Sequence, residues 1–279
     1  MAWGEASLNA PAPGVAVITG AASDIGIGRA AAIVFASQGW RLGILDVDEA
    51  GLQATADLCS VAGGNVVAIR VDVASTTDVR AAVENVRAAL GPIDAVVANA
   101  GIARRKPFLE LRDRDFEEVL GVNLGGVWRL AQAALPDMIT RRRGRIVAVS
   151  SLMGSPWGWA EHAHYSASKA AVEGLVRALA VELGPLGVTV NAVSPGFIRT
   201  NQSLDVVNSG GEEGMRKSVG YVPLRRIGEA NDIAGVIAFL CSDAAGYMNG
   251  QALLVDGGLT LGDLSQAAVW PAAGSKATI

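Results

Sequence analysis

The sequence predicts an α/β fold built on a doubly wound parallel sheet of about seven strands, with helices on both faces, in a single domain. Short β-branched runs alternate along the chain with longer Ala- and Leu-rich segments of helical spacing. The short runs are apolar at nearly every position, which is typical of parallel strands covered on both faces. No linker divides this alternation, so we expect one domain rather than two.

The strand and helix candidates follow one another in a regular order. The strand candidates are Val15–Thr19, Arg41–Asp46, Asn65–Val71, Ala95–Asn99, Gly144–Ser150, Val188–Val193 and Ala252–Val255. The clearest helical segments are Gly28–Gln38, Asp78–Leu90, Asp115–Arg141 and Tyr165–Leu183. Ligands of such sheets bind beyond the carboxyl ends of the strands, so the residues that follow each strand are the candidates for function.

The chain divides into a domain and two ends. We expect residues 13–260 to form the domain, preceded by a flexible leader, rich in Ala, Pro and Gly, over residues 1–12. The tail, residues 261–279, is longer than this fold needs. It is either disordered or docks Trp270 on a neighbouring subunit.

Composition and charge exclude several classes of protein. An apolar content of 51% is far from that of disordered chains, and a net charge of −4 gives no basis for binding nucleic acid or a membrane surface. No apolar run reaches the roughly 20 residues of a spanning helix, and the N-terminus lacks a secretory-signal pattern. Cys59 and Cys241 lie far apart, so the simplest interpretation is a soluble cytoplasmic protein with reduced thiols. No Cys/His cluster has metal-ligand spacing, so we expect no metal.

The turn after the first strand has the composition of a phosphate-binding loop. Gly20, Gly26 and Gly28 lie between the strand and the first helix, where glycines let the backbone approach a pyrophosphate at a helix N-terminus. Taken alone, the pattern also fits an ordinary strand–helix turn. Asp46 ends the second strand about twenty residues later, where a carboxylate binds the adenosine ribose and repels a 2′-phosphate. Ser23 stands in the turn where a basic residue would help NADP, so the sequence favours NAD.

Further motifs follow in order, and the set resembles the short-chain dehydrogenase/reductase family, whose sheet is of the Rossmann type. The resemblance covers nearly the whole chain, from about Val15 to Gly258. Its motifs are TGAASDIGIG from Thr19, Asp72-Val73, Asn99-Ala100-Gly101, Asn123, Ser150-Ser151, Tyr165-Ser-Ala-Ser-Lys169, Pro195-Gly196-Phe-Ile198-Arg-Thr200 and Val255–Gly258.

The resemblance implies a role for each motif. Asp72 and Val73 are expected to contact adenine, whereas Ile198 and Thr200 are expected at the nicotinamide end. Family members are usually dimers or tetramers, so we expect a homo-oligomer such as a homotetramer. The full set of expected cofactor-binding residues is Gly20, Ser23, Asp24, Ile25, Gly26, Gly28, Asp46, Asp72, Val73, Asn99, Gly101, Tyr165, Lys169, Pro195, Gly196, Ile198 and Thr200.

The glycine turn departs from the family pattern. Five residues separate Gly20 from Gly26, where the family usually has three, and Asp24 and Ile25 resemble the insertion. The wider spacing is similar to that of the divergent enoyl-acyl-carrier reductases of the same superfamily. Those enzymes, however, place the lysine farther from the tyrosine than this chain does.

The expected chemistry depends on Tyr165 and Lys169, which are four residues apart on one helical face. A neighbouring ammonium favours the phenolate, so we expect Lys169 to lower the pKa of Tyr165, with the nicotinamide cation adding to the effect. Tyr165 would then act as general acid or base on the substrate oxygen, while Ser151 holds that oxygen by a hydrogen bond. Asn123 resembles the family asparagine that holds a water linking the lysine to solvent.

The segment between Ser151 and Tyr165 is expected to border the substrate. It contains Trp157, Trp159, His162 and His164, of which Trp157, Trp159 and His164 are our candidate substrate contacts. Packing of a loop or a subunit contact is an equally good interpretation of the tryptophans. Residues 199–222 lie where the family has a substrate-covering lid.

The sequence therefore predicts an NAD-dependent oxidoreductase acting on CH–OH donors, which interconverts a secondary alcohol or sugar hydroxyl and a ketone. One alternative is a 3-oxoacyl-carrier reductase of fatty-acid synthesis, which Asp46 disfavours because that activity usually uses NADPH. A catalytically silent dinucleotide-binding protein is a second alternative, disfavoured by the intact Ser–Tyr–Lys set. Sugars, polyols, hydroxy acids and cyclic or aromatic alcohols all remain open as substrates.

Overall fold

A computed structural model describes residues 14–262 of the chain. The predicted leader, residues 1–12, and the tail beyond residue 262, with Trp270, lie outside the described residues.

The described residues contain one seven-stranded parallel sheet, as predicted. Its strands are ordered β3-β2-β1-β4-β5-β6-β9, and each neighbouring pair is parallel. Strands β7 and β8 are two residues each and pair separately. The strand bounds are β1 Val15–Thr19, β2 Arg41–Asp46, β3 Asn65–Arg70, β4 Ala95–Ala98, β5 Gly144–Val149, β6 Val188–Pro195, β7 Ile198–Arg199, β8 Gly228–Glu229 and β9 Ala252–Val255.

Helices cover both faces of the sheet. Their bounds are α1 Ile27–Ser37, α2 Glu49–Val61, α3 Thr76–Leu90, α4 Asp113–Asn123, α5 Gly125–Arg141, α6 Ala163–Leu183, α7 Asn201–Leu204, α8 Gly211–Ser218 and α9 Ala230–Leu240. One buried apolar cluster joins the sheet to α3, α5 and α6, and a second joins it to α1, α2 and α9. The two-sided core explains why the strands are apolar at successive positions. No helix among residues 14–262 is long and apolar enough to cross a membrane.

The single helix predicted over Asp115–Arg141 is wrong, because the structure divides it at Leu124 into α4 and α5. The guanidinium of Arg129 donates to the carbonyl oxygen of Gly121 at 3.0 Å, an oxygen that an uninterrupted helix pairs with the N–H of residue 125. Asn123, at the end of α4, also turns its side chain inward toward other segments. The interruption is confined to Leu124, and hydrogen bonds of helical spacing continue on either side of it.

Other differences are confined to element ends and to short elements. Helix α3 begins at Thr76 rather than Asp78, because Ser75 caps it by accepting from the N–H of Asp78 at 3.2 Å. Strand β6 runs on to Pro195, two residues past its predicted end.

Candidate active site

The carboxyl ends of the central strands open onto a cleft of about 290 Å³. The sequence-predicted residues that line it are Gly20, Ser23, Gly26, Asp46, Asn99, Gly101, Ser151, Trp159, Tyr165, Lys169, Pro195, Gly196, Ile198 and Thr200. Residues so far apart in sequence meet because parallel strands end at one edge of the sheet.

The turn between β1 and α1 has the tight backbone that a phosphate cradle needs. Gly20 has a φ of +69°, a conformation that glycine adopts readily. A Cβ on Gly28 would lie 2.1 Å from the carbonyl oxygen of Gly20, so only glycine fits there. The side chain of Asn99 donates to the carbonyl oxygens of Thr19 and Gly20 at 3.0 Å each and fastens the turn to β4.

The N-terminus of α1 is suited to an anion. Its N-cap residue, Gly26, makes no side-chain cap, and the first turn contains no acidic residue. The first-turn N–H groups therefore have no competing carboxylate, and the helix dipole favours negative charge at this end. These features fit the pyrophosphate of a dinucleotide, with Gly20, Ser23 and Gly26 at the cleft to hold it.

Asp46 connects the end of β2 to this turn. One carboxylate oxygen accepts from the N–H of Ala22 at 2.9 Å, and the other accepts from the N–H groups of Val47 and Asp48 at 2.7 and 3.2 Å. Asp46 also lines the cleft. Its negative charge is thus fixed at the mouth of the dinucleotide crevice.

Five predicted cofactor contacts lie outside the lining of the cleft: Asp24, Ile25, Gly28, Asp72 and Val73. Gly28 supports the turn by close packing, as described above. The inserted Asp24 points outward, and a hydrogen bond from the side chain of Asn201 is the main cause that lowers its pKa. Asp72 accepts from the N–H of Ala74 at 2.8 Å, and Val73 is buried. Their contact with adenine stays a prediction.

Ser151, Tyr165 and Lys169 reach the cleft from two elements. Ser151 follows β5, whereas Tyr165 and Lys169 lie one turn apart near the start of α6. The buried carboxylate of Glu173 fastens α6 to the sheet, since it accepts from the hydroxyls of Ser150 at 3.2 Å and Ser194 at 2.9 Å. This contact holds the tyrosine and lysine in register with the end of β5.

Lys169 and Tyr165 are both buried and adjacent. The Lys169 ammonium lies 5.7 Å from the centroid of the Tyr165 ring and donates to the carbonyl oxygen of Val149 at 2.8 Å. Burial lowers the pKa of Lys169 to about 8. The ammonium form therefore predominates at neutral pH.

The expectation that Lys169 lowers the pKa of Tyr165 is wrong, because the pKa of this phenol is raised. Burial is the largest influence and raises the pKa of the phenol, whereas hydrogen bonds with Ser151 and Gln202 act in the opposite direction. The reason is that a fully desolvated phenolate loses more from the absence of water than the neighbouring groups return.

Asn123 is buried and ties α4 to the segment after β4 and to α6. Its amide nitrogen donates to the carbonyl oxygen of Ile102 and to the hydroxyl of Ser168, both at 3.0 Å. Its oxygen accepts from the N–H of Ile102 at 2.8 Å. All of these contacts brace the loop that carries Gly101, at which an added Cβ would lie 3.3 Å from the Lys169 nitrogen. A water held for Lys169 stays a prediction.

Among the four aromatic candidates, Trp159 and His162 line the cleft, whereas Trp157 and His164 do not. His164 is fully buried, and neither ring nitrogen has a hydrogen-bond partner among the described residues. Burial is the main cause that lowers its pKa, so the ring is neutral. His164 is thus a buried side chain outside the lining of the cleft, and its expected contact with the substrate gains no support from the structure.

Sequence reasoning missed several lining residues, among them Leu152, Met153, Phe197, Gln202 and Met215. Gln202 lies in α7 and Met215 in α8, within the segment predicted as a lid. Phe197 lies within the Pro195–Thr200 motif but at a position to which the resemblance gives no role, and apolar or amide side chains in loops carry no characteristic spacing.

Known proteins resemble the chain over most of its length. A family model described as "Enoyl-(Acyl carrier protein) reductase" matches residues 20–260. An uncharacterized short-chain type dehydrogenase/reductase, y4mP of Sinorhizobium fredii, is 38% identical over 248 residues, which cover 88% of this chain and 97% of the relative. The chain belongs to the short-chain dehydrogenase/reductase family.

Other members of the family show the same extent of similarity. The 3-oxoacyl-[acyl-carrier-protein] reductase FabG of Escherichia coli is 35% identical over 245 residues, which cover 88% of this chain and 96% of FabG. The crystal structure of a levodione reductase superposes with a TM-score of 0.84 at 32% identity, covering 89% of this chain and 98% of that structure. The chain is thus an oxidoreductase with a Rossmann-like fold, of a family that binds a nicotinamide dinucleotide.

Proposed function

We propose that the protein is an NAD(H)-dependent oxidoreductase that interconverts a secondary alcohol and a ketone, with Tyr165 as the general acid/base. The observation that carries the proposal is the convergence of Ser151, Tyr165 and Lys169 on one cleft beside the glycine turn. A hydroxyl, a phenol and an ammonium that share a cleft with a dinucleotide cradle have the parts needed for proton and hydride exchange at one carbinol group.

In the direction of oxidation, the Ser151 hydroxyl donates a hydrogen bond to the alcohol oxygen, and the Tyr165 phenolate accepts the alcohol proton. The carbinol C–H bond breaks as the C=O bond forms, and bound NAD⁺ supplies the acceptor for the hydride. In reduction, the Tyr165 phenol returns the proton to the developing alkoxide. Ser151 keeps the oxygen in place in both directions.

Lys169 places a cation beside the phenol. Its pKa of about 8 leaves the side chain largely protonated at neutral pH, and its ammonium lies 5.7 Å from the centroid of the Tyr165 ring. Burial nevertheless raises the pKa of Tyr165, so formation of the phenolate would also need the positive nicotinamide of bound NAD⁺. Gln202 adds a hydrogen bond that also favours the phenolate. Asn123 positions the Gly101 loop beside Lys169 through its three contacts.

The choice of NAD over NADP rests on Asp46. Its carboxylate would repel a 2′-phosphate at the ribose position. The guanidinium of Arg29, a cation close to the turn, is already engaged with the Thr55 hydroxyl at 2.8 Å and with the carbonyl oxygens of Ala22 at 2.6 Å and Gly51 at 3.1 Å. Arg29 therefore has few N–H groups free to bind a 2′-phosphate and so to balance the repulsion of that phosphate by Asp46.

A pair of titrations tests the cofactor choice. Fluorescence titration of the protein with NADH and with NADPH should give tighter binding of NADH by at least about tenfold, which is about 1.4 kcal/mol. An Asp46→Ser variant should lose most of this difference. Equal or tighter binding of NADPH by the unchanged protein would contradict the role given to Asp46.

A single substitution tests the catalytic role. Tyr165→Phe should bind NADH as tightly as the unchanged protein and lose turnover, since only the ionisable hydroxyl is removed. Tyr247→Phe is the matched control, because Tyr247 is fully exposed and lies outside the cleft. Retained turnover in Tyr165→Phe would remove this residue from its proposed role.

A second candidate function is reduction of a 3-oxoacyl group on a carrier, which the similarity to FabG favours. It needs the same Ser151, Tyr165 and Lys169 and differs in substrate and in its usual cofactor. Turnover of an acetoacetyl thioester with NADPH in preference to NADH would favour this candidate over the first.

A further inference from the structure

The substrate end of the cleft has predominantly apolar walls. Leu152, Met153, Trp159, Phe197 and Met215 line it. The rings of Trp159 and Phe197 meet at 60° with centroids 6.0 Å apart, in an edge contact, and Trp159 is 45% exposed. Ring faces and thioethers at this end favour an apolar surface on the substrate.

The polar groups at this end are largely engaged with protein atoms. His162 stacks on Trp159 with ring centroids 5.5 Å apart, and its two nitrogens lie 2.8 and 3.0 Å from the carbonyl oxygens of Ala160 and Asn208. The hydroxyl of Ser203 donates to the carbonyl oxygen of Thr200 at 2.9 Å and accepts from its N–H. Gln202 and Ser209 also line the cleft, but a substrate with many hydroxyls would still leave several of them without partners here, which is costly where water is displaced.

Charge is also absent from this end. Among the described residues that line the cleft, the charged ones are Asp46, at the ribose end, and Lys169, beside the catalytic phenol. Cations close to the lid and to the loop before α6 are already paired with acids, in the ion pairs Arg105–Glu161, Lys106–Asp115 and Arg199–Glu212. A substrate carboxylate or phosphate would therefore lose its hydration without gaining a counter-ion.

We infer that the substrate is a compact, uncharged and mainly apolar ring alcohol or ketone that is held through one oxygen. Ser151 and Tyr165 supply the polar contacts for that oxygen, and the Trp159–Phe197 pair supplies the apolar contact for the ring. The inference rests on the proposed function and narrows its substrate class. It disfavours polyols, sugars and hydroxy acids, whose hydroxyl and carboxylate groups would find few polar or charged partners along this lining.

Three alcohols that share a cyclohexane ring and differ in their other ring substituents test the inference. Cyclohexanol, inositol and hydroxycyclohexane carboxylate are offered to the protein with NAD⁺, and NADH formation is followed by absorbance. We expect kcat/KM for cyclohexanol to exceed that for each of the other two by at least about tenfold. Preference for inositol or for the carboxylate, or absence of turnover of cyclohexanol by protein that binds NADH, would overturn the inference.

Two matched tryptophan variants test the proposed contact between Trp159 and the substrate ring. Trp159→Ala should lower kcat/KM for cyclohexanol by roughly tenfold, because an aromatic contact to the ring is lost. Trp128→Ala is the control, since Trp128 is as exposed as Trp159, at 45%, and lies outside the lining of the cleft; its kcat/KM should stay within about twofold of the unchanged protein. Equal effects of the two substitutions on kcat/KM would contradict a contact between Trp159 and the substrate ring.

Failure of the inference and failure of the proposed function give different results. Loss of NADH binding by the unchanged protein, or full activity of Tyr165→Phe, contradicts the proposed function. A protein that binds NADH, depends on Tyr165 and prefers inositol or the carboxylate keeps the function and contradicts the substrate class alone.

Discussion

Replacement of Lys169 by methionine should make the protein more stable and inactive. Lys169 is 4% exposed, and burial lowers the pKa of its ammonium from 10.5 to about 8. Because the folded chain disfavours the charged form, folding at neutral pH carries an unfavourable contribution from this side chain. Lys169→Met keeps the length and apolar stem of the side chain and removes the charge.

The magnitude follows from the difference between the two pKa values. At about 1.4 kcal/mol per pKa unit, a fall from 10.5 to about 8 corresponds to about 3 kcal/mol at pH 7. The hydrogen bond from Lys169 to the carbonyl oxygen of Val149, worth about 1 kcal/mol, is lost in the variant. We therefore expect the free energy of unfolding of Lys169→Met to exceed that of the unchanged protein by about 2 kcal/mol.

The pH dependence has a definite sign. Below about pH 8 Lys169 is protonated in both the folded and unfolded states, so the unfavourable contribution is complete. Between about pH 8 and 10.5 the unfolded chain binds the proton more tightly, so stability rises with pH in this window. From pH 7 to pH 9.5 the advantage of Lys169→Met should therefore shrink by about 2 kcal/mol.

Urea unfolding of both proteins at the two pH values measures this difference, with Lys217→Met as the control because Lys217 is exposed. The control should differ from the unchanged protein by less than about 0.5 kcal/mol. A Lys169→Met variant that is less stable at pH 7, or whose advantage grows with pH, would refute the reasoning. Retained turnover would separately remove Lys169 from the site.

Two further predictions concern the turn and the loop beside the substrate. Gly28→Ala should lose NADH binding and much of its stability, because the new Cβ would lie 2.1 Å from the Gly20 carbonyl oxygen. Gly235→Ala is the control, because a Cβ at this position of α9 meets open space. Titration with NADH and thermal unfolding should show that the control retains both properties. His162→Ala should raise the KM for cyclohexanol several-fold at unchanged NADH affinity, because the contact to the Asn208 carbonyl oxygen at 3.0 Å and the stacking on Trp159 are lost; an unchanged KM would contradict it.

The strands and their order of appearance were predictable because the signal is local. A buried parallel strand such as Val15–Thr19 is apolar at every position, so its own residues identify it. The clustering of Gly20, Asp46 and Ser151 at one cleft also follows from sequence, since parallel strands deliver their carboxyl ends to one edge.

Features that depend on tertiary contacts were not predictable. The junction at Leu124 lies beside a hydrogen bond from the Arg129 guanidinium to the Gly121 carbonyl oxygen, which sequence spacing does not show. His162 and His164 are two residues apart, yet His162 lines the cleft and His164 is fully buried outside the lining.

The direction of the Tyr165 pKa is a third such case. Its charged neighbour Lys169 can be read from the sequence, but the degree of burial cannot, and burial dominates. Gln202, which opposes that effect, comes from a segment whose sequence carries no motif.

The most direct test of the proposed hydride exchange is to label the hydrogen atom on the carbinol carbon of the substrate and to find where it goes. Cyclohexanol deuterated at the carbinol carbon is incubated with NAD⁺ and the protein, and the dinucleotide is analysed by mass spectrometry. We predict that the reduced dinucleotide formed by the unchanged protein carries the deuterium and that Tyr165→Phe, although it binds NADH, forms none. Reduced dinucleotide without deuterium, or equal transfer by Tyr165→Phe, would contradict hydride exchange at a carbinol carbon with Tyr165 as its acid/base.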